Sequence, residues 1–344
     1  MLTRALLLFL FTLPGWQALT QTREKSNTCP NRIDSLITDA DVLTFIRSLK
    51  PREFEGIVFK LPDSQYPVVR DYRRQLQQRL DSFGARSYEK IDLDGNGSTD
   101  LLFNGFNSNY LLSLAIFSFA KDSFLVRELT MRNHPEYFSA KSIRVGIHSY
   151  IRVFSAFSAR KTIPSHKQDG FVEDSLWTRH IDDTLTWLST SLIEKKPPFP
   201  YPIDTLRYQI LSGGMLGAFE ITLVKDSLWL NKTCDLDPRV PVDSGGMFIG
   251  KMDANTAHRL YDVIYAIDWE GLEPRYEIPG FDMSSGNFQL KYNHGKIKTV
   301  LDFGLCGTYG LNTLQEMMLD LLKTQEWIRT APGGRDYFFI GDTY

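Results

Sequence analysis

The chain is poor in cysteine, with Cys29, Cys234 and Cys306 as its three thiols among 344 residues. An odd count rules out complete pairing, and their spacing fits no zinc or thiol-redox motif. Charge of one sign is also missing. The 39 Lys and Arg stand against 41 Asp and Glu, a formal net charge of -2. That balance removes the basic excess by which nucleic-acid binders are recognised, and no run of like charge marks an interaction tail. The chemistry-bearing motifs are missing too: there is no G-x-S-x-G, H-E-x-x-H, phosphate-binding loop or dinucleotide fingerprint. Six histidines, at 134, 148, 166, 180, 258 and 294, show no pair at metal-ligand spacing.

What is present begins with an address. Arg4 precedes the apolar run "ALLLFLFTL" (5–13), broken by "PGWQALT" with Ala18 and Thr20 ahead of Gln21. This is the pattern of a secretory signal peptide over 1–20, too short to span a bilayer permanently. The expectation is an exported chain, periplasmic or extracellular, with no transmembrane segment in its mature form. Export makes disulfides possible. A Cys234–Cys306 bond would close a loop of roughly 70 residues, worth at most about 4 kcal/mol by chain entropy; three separately buried thiols are the other possibility.

Hydrophobic residues at 42% and charged residues at 23% fit a folded globular protein. The length predicts two domains. The boundary falls at "KPPFPYP" (196–202), where four prolines forbid helix and favour an extended connector. It separates residues 21–195 from residues 203–330, with a tail over 331–344. In the first part, "DADVLTFIRSL" (39–49) predicts a helix capped by Asp39 or Asp41, and "YPVVRDYRRQLQQRLDSFG" (66–84) a longer one stopped by Gly84. Alternating runs such as "LLSLAIFSFAKDSFLVRELT" and "SIRVGIHSYIRVFSAF" predict strands after them. In the second part, hairpins turn at Lys225-Asp226 and His294-Gly295, with helices over 255–269 and 310–328. The predicted class is therefore α+β, two domains, each an antiparallel sheet with helices packed on one side.

Residues 206–329, through "FEITLVKDSLWL", "ANTAHRLYDVIYAIDW", "FQLKYNHGKIKTVLDFG" and the closing "TQEWI", resemble a small domain family of unknown function found in exported bacterial proteins. Relatives in that family often carry a Cys-x-x-Cys-Pro-like element before the first hairpin. Here that place reads "SGGMLGA" (212–218), so the resemblance implies architecture and compartment and no thiol or metal role.

One stretch carries site chemistry. "DLDGNGSTD" sets oxygen-bearing side chains at alternate positions, with Gly95 and Gly97 where the chain must turn. Calcium takes six to eight oxygens at flexible distances, and alternation aims every second residue inward. Asp92, Asp94, Asn96 and Asp100 would give side-chain oxygens and Ser98 its carbonyl. An EF-hand would need a bidentate Glu at its twelfth position, where Phe103 stands. The loop instead resembles the strand-loop-strand calcium sites of integrin-type propeller repeats (D-x-D/N-x-D/N-G-x-x-D). It occurs once, and a propeller needs several copies. The opposing reading is an acidic turn held by Asx hydrogen bonds.

"VDSGGM" (242–247) is similar to the nucleophile segment of chymotrypsin-like proteases, but no histidine segment of that type precedes Ser244, and a Gly-rich turn is the expectation. Pairs such as Asp182-Asp183 read as turn residues flanking strands. No catalytic residue is assigned. The expected function is a non-catalytic binding or envelope-scaffolding role with structural calcium. The alternative is a hydrolase of an envelope or extracellular polymer, working through carboxylates brought together only in space.

Overall fold

The computed structural model describes residues 31–60, 78, 81–107, 110–119, 123–130, 137–163, 173–211, 219–232, 245–277 and 284–332. Cys29, Cys234, Ser244, most of the helix expected at 66–84 and most of the tail lie outside them. The described residues are mostly strand, arranged in several sheets, with only short helices. The fold is β-rich, which overturns the α+β expectation.

The reason for the miss lies in what covers the sheets. In the first half, β1 (Ile57–Val58), β2 (Tyr88–Ile91), β3 (Asp100–Asn107), β4 (Tyr110–Phe119) and β5 (Ser123–Glu128) form one sheet. A second sheet is a plain meander of β6 (Tyr137–Val145), β7 (His148–Ile163), β8 (Glu173–Leu188) and β9 (Ser191–Glu194). Leu102, Ala115 and Phe117 on one face of the first sheet pack against Phe138, Ile151, Val153 and Leu185 of the second. This is sheet on sheet, where a helical layer was expected. Trp187 lies over Phe117 with ring centroids 4.0 Å apart. The opposite face, with Leu101, Phe103, Leu114 and Ile116, meets Val42, Phe45 and Ile46 of α1 (Asp39–Leu49) and Phe54 of α2 (Pro51–Phe54). β3 is thus buried on both faces, which explains its continuous apolar "LLF".

Helix α1 starts with a capping box. Thr38 is the cap, accepting from Asp41 N, and Asp41 returns the contact to the Thr38 backbone. The expected caps Asp39 and Asp41 therefore sit inside the first turn. Asp182 and Asp183 also move from expectation: both lie within β8, where Asp182 takes a bidentate bond from Arg152 of β7 at 2.8 and 2.6 Å.

The second half is built on an eight-stranded sheet in the order β14-β16-β15-β10-β11-β12-β13-β17. Its strands are β10 (Ile203–Leu211), β11 (Phe219–Val224), β12 (Ser227–Lys232), β13 (Gly246–Lys251), β14 (Arg275–Glu277), β15 (Ser285–Tyr292), β16 (Lys296–Phe303) and β17 (Ile328–Pro332). The two expected hairpins are present: Lys225 takes φ +55°, and Asn293, His294 and Gly295 are all left-handed. Two helices, α3 (Ala254–Ala266) and α4 (Tyr309–Thr324), contribute Leu260, Val263, Ile264, Leu311, Leu314 and Met318 to this sheet's core. Residues 326–328, expected at the end of a helix, lie beyond α4 and lead into β17. None of the described helices is long and apolar enough to cross a membrane.

The proline segment is packed. Phe199 is buried against Tyr201 and Tyr292, and its N–H donates to Tyr265 O at 2.6 Å. The halves also meet at the start of α4. Glu194 of β9 is buried and accepts from the backbone N–H groups of Tyr309 and Gly310, the latter at 2.8 Å. Tyr309 Oη donates to Leu129 O at 2.7 Å. Burial pushes the Glu194 carboxyl up to about 7, against the pull of the Gly310 N–H, with Asp183 adding to the rise. Cys306 is a buried thiol in the loop before α4.

Candidate metal centre

The loop between β2 and β3 is bounded by the pair Ile91↔Asp100, so its two ends are fixed by a ladder. Gly95 and Gly97 take φ of +72° and +86°, the left-handed values that let eight residues reverse within a small radius. Side chains then serve the loop's own backbone. Asp92 Oδ2 accepts from Gly97 N at 3.0 Å, Asp94 Oδ1 from Asn96 N at 2.9 Å, and Asn96 Oδ1 from Ser98 N at 2.6 Å. These are the Asx contacts of the acidic-turn reading.

Three of the five expected ligands converge beyond that. One carboxylate oxygen each from Asp92, Asp94 and Asp100 lie within 4.8 Å of one another. The other two are engaged otherwise. Asn96 turns its oxygen to Ser98 N and its Nδ2 to Asp94 Oδ2 (3.0 Å) and Ser118 O (2.8 Å). Ser98 gives its N–H to the Asn96 oxygen.

Asp100 is fully buried at the foot of the loop. Its Oδ2 accepts from Leu93 N at 2.7 Å and its Oδ1 from Ser118 N at 2.8 Å. Burial raises its carboxyl to about 7, opposed by those two N–H donors and reinforced by the negative charges of Asp94 and Asp92. Asp92 Oδ1 is a buried oxygen with no hydrogen-bond donor among the described residues. An acceptor left bare beside two further carboxylates fits a hard cation, which would supply the missing partner and neutralise the cluster.

Sequence reasoning missed two residues that hold the centre. Asn31 Nδ2 donates to Thr99 O at 2.8 Å and to Ser118 Oγ at 2.9 Å, tying the segment before α1 to the loop. Ser118 serves the loop from β4 through both its N–H and its carbonyl. Neither carries a local signal, since they lie far from the loop along the chain. A cleft of about 150 Å³ opens beside Asp92 and Asp94, lined by Arg144, His148, Tyr150 and Trp187.

No family model matches the chain, and neither does any curated protein or solved structure.

Proposed function

We propose that residues 92–100 hold one calcium ion that fixes the loop between β2 and β3, in an exported protein whose role is non-catalytic binding or envelope scaffolding. The observation that carries the calcium reading is the convergence of Asp92, Asp94 and Asp100 around a buried oxygen without a donor. Asp92, Asp94 and Asp100 would each turn one oxygen to the ion, and Asn96, on giving up its bond from Ser98 N, would complete the shell with the Ser98 carbonyl. Calcium suits the site better than magnesium because it tolerates irregular sets of oxygens, whereas magnesium demands near-ideal octahedral geometry. The ion acts as a clamp: it would offset carboxylate repulsion and bind loop, β3 and β4 into one unit. The address rests on the signal-like segment at 1–20.

Calorimetric titration of the purified protein with calcium tests this reading, beside an Asp92→Asn, Asp94→Asn variant. Binding of about one ion per chain, with Kd on the order of 10⁻⁴ to 10⁻³ M, lost in the variant, supports it. Absence of heat at millimolar calcium, with an unchanged melting curve, makes the stretch an acidic turn.

A further inference from the structure

A cleft of about 550 Å³, within the range of ligand sites, lies where the two halves meet. Its walls come from β5 and β9 of the first half and from α4 of the second. Leu305, in the loop before α4, lines it with φ +55°, a left-handed value that a leucine rarely takes. Backbone strain of that kind concentrates where a site has to be shaped.

The uncommitted groups of the cleft are neutral. Gln315 of α4 lines it, is 3% exposed, and has its Oε1 buried with no donor among the described residues. The terminal torsion of a glutamine is soft, so the carboxamide can turn either of its polar atoms to the cleft. A hydrogen bond left unmade at a buried amide is costly, and a ligand group in the cleft would supply it. Asn312 of α4 and Ser191 of β9 add an amide and a hydroxyl, neither with a side-chain partner among the described residues. The cations at the cleft are engaged locally: Arg127 donates through Nε and Nη2 to Thr190 O, and Lys50 pairs with Glu53 at 2.9 Å. Glu128 and Glu316 balance them in sign.

A cleft whose charges cancel does not select an ion. It offers no face for a flat aromatic ligand either: its one aromatic residue among those described, Tyr309, packs its ring into the core of the first-half sheets. An acyl chain would leave Gln315, Asn312 and Ser191 unbonded. Hydroxyl groups suit all three, because each hydroxyl both donates and accepts, and a carboxamide can serve two neighbouring ones through its N–H and C=O together. We propose that this cleft binds an uncharged glycan, a short run of neutral sugar units. The inference deepens the binding role proposed above, and the cleft shares no residue with the calcium loop.

The test titrates the unaltered protein, in chelator, with maltohexaose, cellohexaose and chitohexaose by calorimetry, beside hexagalacturonate as a charged counterpart. One or more of the neutral sugars should bind, and more tightly than hexagalacturonate. Gln315→Leu keeps the bulk of the side chain and removes its amide. Binding should weaken roughly tenfold, the loss of about one hydrogen bond, while the melting temperature does not fall, since the variant removes a buried polar group that lacked a partner. Asn312→Ala, on the same wall, should weaken binding likewise. Absence of heat with all three neutral sugars at millimolar concentration overturns the proposal, and that arm needs no variant to fold. So does tighter binding of hexagalacturonate, or parental affinity in both variants. The chelator separates this outcome from the calcium reading, whose failure would leave the sugar titrations as they are.

Discussion

Ser118 gives its amide proton to the Asp100 carboxylate at 2.8 Å, where the β3–β4 ladder would have aimed it at Thr99 O. Asn104 N bonds Ser87 O, which sets the phase of β3 and makes Thr99 opposite Ser118 the next bonded pair toward β4. Thr99 O is instead taken by Asn31 Nδ2. The loop thus opens the sheet by one rung and closes it again with side chains.

Asp100→Ala should cost more stability than any other substitution in the loop. It strands the buried N–H groups of Leu93 and Ser118, each at roughly 1–3 kcal/mol. Asp92→Ala strands the N–H of Gly97, which is not buried to the same extent. Urea unfolding in the presence of a chelator should order the variants Asp100→Ala, then Asp92→Ala, then the parent. A reversed order would show that the two bonds to Asp100 contribute little.

Calcium should raise the melting temperature of the parent and leave that of Asp92→Asn, Asp94→Asn unchanged. Saturation at a hundredfold excess over Kd stabilises by about 2.7 kcal/mol by mass action. Magnesium at equal concentration should produce a smaller shift. Differential scanning calorimetry with each ion checks both statements, and equal shifts from the two ions would count against a calcium site.

Glu194 predicts a pH dependence of the junction between the halves. Its carboxyl is raised from an ordinary 4.5 to about 7 by burial, so between these values the folded chain holds a proton that the unfolded chain has lost. Its contribution is fully present below pH 4.5 and is lost as pH rises through 7, on the order of 3 kcal/mol. Glu194→Gln stays neutral throughout and should flatten that slope between pH 4.5 and 8, read as urea midpoints at stepped pH. A variant with the parent's slope would assign the dependence to other groups.

Gly105→Ala should destabilise the contact between β1 and β3. A Cβ there would come 2.6 Å from the Val58 carbonyl oxygen and 2.5 Å from Phe103 Cζ. The ring can yield, but the backbone of β1 must move, for a cost of about 1–3 kcal/mol. Hydrogen exchange at Ile57 and Val58 should quicken well beyond the average of the chain. Unchanged exchange there would mean that β1 follows the added methyl without loss.

The features legible in the sequence are those decided within a few residues. The turns at Lys225-Asp226 and His294-Gly295 need left-handed residues and advertise them. The alternation from Asp92 to Asp100 shows in the same way. Distant partners leave no such mark. Residues 326–328 continue an apolar helical pattern, yet Ile328 pairs with Ile249 of a strand almost eighty residues earlier. Leu101 and Leu102 reveal that β3 is buried on both sides, but not that one side is another sheet. The support that Asn31 and Ser118 lend the loop was hidden for the same reason, as was the Glu194 cap on α4.

Tyr309 opens the last helix, yet its ring belongs to the core of the two sheets of the first half, and its hydroxyl reaches a carbonyl 180 positions back. On a chain made from its N-terminus, that core waits for its final member until nearly all the residues have emerged. Early on, the first half would lack both Tyr309 and the N–H groups that Glu194 needs. Until residues 309 and 310 have emerged, the Glu194 carboxylate and the Leu129 carbonyl are without the donors that α4 gives them.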